Sequence, residues 1–351
     1  MANVHTGDMT QGNPTKLILA FAIPMLIGSI FQSLYSMVDS ATSASILRAM
    51  GDSKTPLYFL ILCSLLNVVL DLFFVLILNM DVDGVAYATV ISQALSAFAC
   101  IVFMFKKYPI LRFGKKDLIP DWKTISRITY LGLPMGLQSC ILSIGMMVIT
   151  WVINGFGSDI IAAHTVGSRV EQLATMIFSQ VSFSFSVYSG QNFGAKDFER
   201  IKTGFRSAFL MVGALSIIST AVSWMFGNQL ILLFVKAEEI SVIKSAGEFI
   251  RIQSLFFAAL GWIWLYNSAL KGIGDIGITV LSSFVELGSK ILLSIFLSKA
   301  FGYIGIWYAA PIGWVLGIIP SAIRYHSGAW RTDKGTGELS VIPIHEQQCT
   351  H

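Results

Sequence analysis

Asp71 sits in the middle of an apolar run, Leu65-Leu66-Asn67-Val68-Val69-Leu70-Asp71-Leu72-Phe73-Phe74. A carboxyl group is costly to place in an apolar medium, so its default reading there is functional. Asn67 lies four residues earlier, which puts it on the same face of a helix. An amide oxygen and a carboxylate on one face can hold a proton or a sodium ion. The plainer reading is a carboxylate that caps or bridges neighbouring helices. Asp39, near the end of the first apolar run, is a second carboxylate of the same kind, or an interfacial residue in a loop. Thr89, in Ala88-Thr89-Val90, offers a further oxygen.

The second half carries its own polar residues inside apolar segments. Arg169, Glu171 and Gln172 fall together, and Glu286 and Lys290 are one helical turn apart. That spacing lets the last two neutralise each other. Gln138, Asn154 and Asn267 suit either a polar cavity or hydrogen bonds between helices. Met176, with Met146, Met147, Trp151 and Phe178, suits an adaptable apolar binding surface, or lipid and core. The candidate substrate-cavity residues are therefore Gln138, Asn154, Glu171, Gln172, Met176, Asn267 and Glu286. No nucleophile–base pairing, phosphate loop or metal-ligand spacing stands out, so an enzyme has no residues to stand on and no cofactor is expected. Cys63, Cys100, Cys140 and Cys349 share no zinc or redox spacing.

The elements that position these residues follow from composition. The chain is 54% apolar and 13% charged, with a mean hydropathy of +0.70. Water-soluble domains carry about 25% charged residues. A chain this apolar cannot cover itself with polar surface, so its solvent is the bilayer. Continuous apolar runs predict membrane-crossing helices at 17–40, 57–79, 84–105, 128–153, 160–187, 203–226, 247–270, 276–298 and 303–324. Lys and Arg concentrate in the connections on one side, above all between Lys106 and Arg127 and between Lys196 and Arg206. By the positive-inside rule that side is cytoplasmic, together with the C-terminal tail. Topology explains this basic charge better than nucleic-acid binding does.

The chain also repeats itself. Leu47-Arg48-Ala49-Met50-Gly51-Asp52 recurs as Leu270-Lys271-Gly272-Ile273-Gly274-Asp275. Gly84-Val85-Ala86-Tyr87 recurs as Gly305-Ile306-Trp307-Tyr308, and Ala22-Ile23-Pro24-Met25 as Gly132-Leu133-Pro134-Met135. The order is the same in both copies, so the repeats are parallel, which points to a transporter. Pro24 precedes Leu47 by 23 positions and Pro134 precedes Leu270 by 136, leaving the first copy 113 residues shorter. The expected fold is an all-α polytopic membrane bundle of two parallel-repeat lobes and about nine helices, three in a truncated first lobe and six in the second. The corresponding divisions are a first lobe over 1–105, a basic linker over 106–127, a second lobe over 128–326 and a tail over 327–351.

Together, Leu47-Arg48-Ala49-Met50-Gly51-Asp52-Ser53-Lys54-Thr55-Pro56, Leu66-Asn67-Val68-Val69-Leu70-Asp71, Gly84-Val85-Ala86-Tyr87-Ala88-Thr89 and Gly190-Gln191-Asn192-Phe193-Gly194-Ala195 resemble the signature of the multidrug and toxic compound extrusion (MATE) transporters. The resemblance implies twelve helices in two six-helix lobes and alternating access. It also implies export of organic cations or drugs in exchange for protons or sodium across the plasma membrane, by a monomer. Carried over residue by residue, Asp39, Asn67, Asp71 and Thr89 match the family's first-lobe cation site, where Na+ would lie at Asp71. The first-lobe counterpart of the Gly190–Ala195 loop is absent. By analogy the second, third and most of the fourth helix are missing. Two other readings remain open, a lipid-linked glycan flippase of the same superfamily and a truncated product that does not transport.

Overall fold

The computed structural model describes residues 44–331, apart from 50, 51, 53, 79, 81 and 109–120. The expected helix 17–40, with Asp39, and most of the basic linker and the tail lie outside the described residues. All described elements are helical. The chain divides into two compact units, residues 1–120 and 121–351.

In the first unit a short helix α1 (Ala44–Ala49) precedes α2 (Lys54–Leu72), and α2 continues into a π-helical turn over Phe73–Ile77. Helix α3 (Val82–Lys107) packs along α2. Ser96 Oγ on α3 donates to the Phe59 carbonyl at 2.9 Å, and the Phe59 and Phe103 rings meet edge-on at 5.7 Å. Asp52 sets the corner between α1 and α2. Its amide donates to the Leu47 carbonyl at 2.9 Å, and its carboxylate accepts from the Thr55 amide at 3.0 Å, capping the start of α2.

The second unit contains α4 (Trp122–Asn154), α5 (Ser158–Gly194), α6 (Phe198–Ile231), α7 (Ile240–Ser254), α8 (Phe257–Gly272), α9 (Ile276–Phe301) and α10 (Tyr303–His326). A 3-10 turn follows over Ala329–Arg331. Asp197 caps α6, its Oδ1 accepting from the Arg200 amide at 3.0 Å. Small residues let the helices approach closely. A Cβ on Gly190 of α5 would come within 2.9 Å of the Gly272 carbonyl oxygen at the end of α8. Ser189 beside it donates to the Ala269 carbonyl at 3.3 Å. These glycines belong to two of the sequence signatures above, and close helix crossing is the physical reason for them.

Among the described residues, α2, α3, α4, α6, α9 and α10 are long and apolar enough to cross a membrane, and the pair α7–α8 makes a seventh crossing if counted as one. Helix α5 is 37 residues long but carries His164, Arg169, Glu171 and Gln172 among its apolar residues. The apolar run predicts one continuous helix over 247–270. The structure instead bends the chain by 54° between α7 and α8. A break frees carbonyls, which must find donors in an apolar medium. Helix α6 supplies one to the freed Ser254 carbonyl, from Thr220 Oγ1 at 2.6 Å, and its Ser216 Oγ also donates to the Phe257 carbonyl at 3.3 Å. Trp224 Nε1 donates to Ser254 Oγ at 3.0 Å. Apolar periodicity along one segment carries no trace of donors from another helix.

The two copies of the repeat fold alike at their corners. Asp275 donates its amide to the Leu270 carbonyl at 2.9 Å, as Asp52 does to Leu47. Gly84 and Gly305 also match. A Cβ on Gly84 would lie 2.8 Å from Met80 Cβ, and one on Gly305 2.2 Å from the Leu297 carbonyl oxygen. Gly84 starts its helix against the turn before it and Gly305 against the last part of α9, leaving no room for a side chain.

Candidate functional site

In the first unit the structure joins two of the sequence candidates, Asn67 and Thr89, and sets Asp71 one turn from Asn67. Asn67 and Asp71 lie one turn apart on α2, both half-buried. Thr89 faces Asn67 from α3. Asn67 Nδ2 donates to Thr89 Oγ1 at 3.4 Å, near the long limit of a hydrogen bond, and Thr89 Oγ1 donates to the Val85 carbonyl at 2.9 Å. Asp71 Oδ1 is buried and has no hydrogen-bond partner among the described residues. An orphaned buried carboxylate oxygen calls for a proton or a cation. Lys54, at the far end, is the only Lys or Arg in α2. The π-helical turn begins two residues after Asp71. Such turns interrupt the regular hydrogen-bond ladder and occur often at functional sites.

The second unit encloses a cavity of about 420 Å³. Helix α5 contributes His164, Glu171 and Gln172 to its wall, α7 Gln253, α9 Lys290 and α10 Trp307. The imidazole of His164 stacks on Trp307 with ring centroids 5.6 Å apart, and Phe249 meets Trp307 edge-on at 5.0 Å. Gln253 Nε2 donates to the Trp307 carbonyl at 3.1 Å, tying the end of α7 to α10.

Of the seven substrate-cavity candidates, only Glu171 and Gln172 line this cavity. Gln138 is buried and hydrogen-bonds Ser283, joining α4 to α9. Asn267 Oδ1 accepts from Ser321 Oγ at 2.6 Å, joining α8 to α10. Both therefore act as helix–helix links. Asn154 is exposed at the end of α4, and Met176 is 59% exposed on the outer face of α5. Glu286 is not on the cavity wall, and its expected neutralisation by Lys290 does not take the form of an ion pair. Lys290 lines the cavity instead. Sequence reasoning missed Gln253, His164 and Trp307, which reach the cavity from three helices. The break after Ser254 could have flagged Gln253, because broken helices in transporters border binding sites.

The comparisons with known proteins agree with this architecture. The MatE family signature matches residues 134–296. The chain is 26% identical over 309 residues to a Bacillus subtilis protein named "Probable multidrug resistance protein YpnP", covering 88% of this chain and 67% of that protein. It is 24% identical over 340 residues to "Probable multidrug resistance protein NorM" of Thermotoga maritima, covering 92% and 73%. Among solved structures, a MOP-superfamily transporter from Pyrococcus furiosus superposes with a TM-score of 0.78 at 20% identity, over 92% of this chain and 72% of that one. The Vibrio cholerae MATE transporter VcmN superposes with a TM-score of 0.77 at 20% identity, over 90% and 75%. These superpositions show a shared fold. With the MatE model matching residues 134–296 and relatives aligned along most of its length, this chain is an all-helical, multi-pass membrane protein similar to the transporters of the MATE family.

Proposed function

We propose that the chain exports drugs or organic cations across the plasma membrane by antiport, with H+ or Na+ held at Asp71 as the coupling ion. The observation that carries this reading is the buried, unpartnered Asp71 Oδ1, one turn from the Asn67 that bonds Thr89. A site whose carboxylate lacks a fixed partner binds its ion reversibly, as antiport requires. The names of the aligned relatives, which include "Multidrug export protein MepA" of Staphylococcus haemolyticus, support drugs as the cargo. The basic connections put the C-terminus in the cytoplasm under this reading.

The test is efflux of a fluorescent organic cation by proteoliposomes under an imposed proton or sodium gradient. Asp71→Asn keeps the shape of the side chain and removes its charge. The expected result is loss of gradient-driven flux with membrane insertion intact. Unchanged flux in the variant removes Asp71 from coupling, and the gradient that drives the wild type identifies the ion.

A second reading has its own support. The first copy of the repeat is 113 residues shorter than the second, and the alignments cover about nine-tenths of this chain against 67–73% of the relatives. A chain lacking three first-lobe helices would be a product with weak or absent transport. Sequencing the transcript across codons 38–48 decides between the two. A further segment of about that length restores a twelve-helix exporter, and an uninterrupted match to this chain supports the shortened form.

A further inference from the structure

Arg251 lies 11 residues after the start of α7 at Ile240, about 16 Å along that helix. Helices α7 and α8 together make one crossing, so this charge sits within a membrane segment. Intramembrane charges almost always face the bundle interior and pair there. Arg251 does neither. It is exposed, and its side chain makes no ion pair or hydrogen bond among the described residues. Lys244, two turns earlier on the same face of α7, is exposed and without an ion pair as well. Glu248, between them, is half-buried and accepts from the Tyr303 hydroxyl at 3.0 Å. The two cations therefore await a partner from outside the described chain.

Arg251 borders a hollow of about 100 Å³ between α6 and α7, with Ser223, Trp224 and Asn228 on the α6 side and Gly247 on its own helix. Sites for drug-sized molecules run to roughly 300–1,000 Å³, so this one suits a smaller group. Two glycines keep it open. A Cβ on Gly247 would meet nothing closer than Asn228 Oδ1 at 3.5 Å, and one on Gly227 nothing closer than Ile250 Cγ2 at 3.9 Å. Ser223 supplies a second, independent sign of a ligand. The residue is 3% exposed, and its Oγ has no hydrogen-bond partner among the described residues. Buried polar atoms are nearly always paired, so this hydroxyl marks where an acceptor arrives. A hydroxyl donor and a guanidinium fork at one hollow suit the oxygens of a phosphate. Toward the membrane centre the surface turns apolar. Met225, Val222 and Ile218, three and four residues apart on α6, are exposed, as is Leu255 on the α7 side.

We propose that this hollow binds an anionic glycerophospholipid, with its phosphate on Arg251 and Ser223, its headgroup directed toward Lys244 and an acyl chain along Met225, Val222 and Ile218. The leaflet is the one where α6 ends, which is the outer one under the orientation proposed above. The apolar stripe commits the site to a lipid, because a free phosphate ion gains nothing from it. The pair Arg251 and Lys244 commits it to an anionic lipid, because an ammonium headgroup would place like charge beside them. The lipid would tie α6 to α7 next to the break, since Trp224, on the wall of the hollow, also donates to Ser254 Oγ at 3.0 Å. The site goes beyond the transport reading and needs neither Asp71 nor the large cavity.

Native mass spectrometry of the full chain in detergent, titrated with dioleoylphosphatidylglycerol, tests this. The first lipid should bind about tenfold more tightly than the next. Arg251→Gln should remove that tight step, and Arg251→Lys should keep a weaker one, because an ammonium retains the charge without the fork. Ser223→Ala should weaken the step about threefold, the worth of one hydrogen bond. The same variant should leave the lipid-free melting temperature unchanged, since the hydroxyl has no protein partner to lose. Dioleoylphosphatidylethanolamine should bind about tenfold more weakly at this step. Dioleoylglycerol should not fill it, and inorganic phosphate should not displace the lipid. A wild type with no tight step overturns the proposal, as does an Arg251→Gln protein, folded by thermal melting, that keeps it. Equal affinity for the two phospholipids refutes the anionic class. Filling by dioleoylglycerol refutes the phosphate contact, and displacement by inorganic phosphate refutes the lipid as the ligand.

Discussion

Arg324 Nε donates to Asp275 Oδ2 at 2.6 Å, joining the end of α10 to the corner between α8 and α9. The first unit makes the corresponding tie, where Lys107 Nζ, at the end of α3, donates to Asp52 Oδ2 at 2.7 Å. In each repeat a basic residue from the last helix thus holds the acidic residue that follows the Gly-containing corner. Tyr108 adds a further donor to Asp52, its hydroxyl lying 2.8 Å from Oδ2.

The second-unit tie should contribute to stability because it is partly shielded, its side chains 31% and 17% exposed. Asp275→Asn should lower the stability of the purified protein by about 1–2 kcal/mol, the range for a charged hydrogen bond tempered by exposure. Thermal unfolding in detergent measures it. A double variant with Arg324→Gln that loses no more than Asp275→Asn alone would confirm that the two act as one unit, and fully additive losses would refute it.

The Asp52 tie fixes the sign of a pH effect. The Lys107 ammonium, then the Thr55 and Tyr108 hydrogen bonds, hold the Asp52 carboxyl well below the usual carboxylate range, against the opposing pull of burial. A carboxyl depressed in the folded state stabilises above its unfolded value of about 3.9, and that contribution disappears as pH falls toward the folded value. The gap in melting temperature between the wild type and Asp52→Asn should therefore stay constant from pH 5 to pH 8 and narrow below about pH 4. A gap that changes across neutral pH would contradict the assignment.

The crossing of α5 and α8 should tolerate no side chain. A Cβ on Gly272 would sit 2.1 Å from Ser189 Oγ and 2.2 Å from the Ser186 carbonyl oxygen. Because a carbonyl cannot step aside as a flexible side chain does, Gly272→Val should force the helices apart at a cost of about 1–3 kcal/mol. Gly277→Ala makes the control, since nothing lies within 4 Å of a Cβ there. Comparable melting temperatures for the two variants would count against the close-packing explanation.

Gln138 and Asn267 should behave as structural links. Gln138→Leu and Asn267→Ala each remove one helix–helix hydrogen bond, a loss of about 0.6–1.7 kcal/mol by analogy with other membrane bundles. Neither residue lines the cavity, so binding of the fluorescent cation at 25 °C should change by less than twofold. A tenfold loss of binding at unchanged stability would return them to the site.

The sequence alone determined the class of this protein because its signals are local. Continuous apolar runs mark helices without reference to any neighbour, and the two Leu–Asp corners repeat because each helix turn closes on its own backbone. The pairing of Asn67 with Asp71 was legible for the same reason, since one helical period places both on one face. What surrounds a polar side chain is not local. Gln138 and Asn267 share composition and setting with Gln172, yet Ser283 and Ser321 engage the first two while Gln172 reaches a cavity. Likewise, Glu286–Lys290 has the spacing of an ion pair, but packing of α9 against α4 and α10 gives Lys290 a cavity wall shared with Glu171. Only the tertiary structure decided these cases, because each depends on which residue of a distant helix stands opposite, and no periodicity along one segment records that.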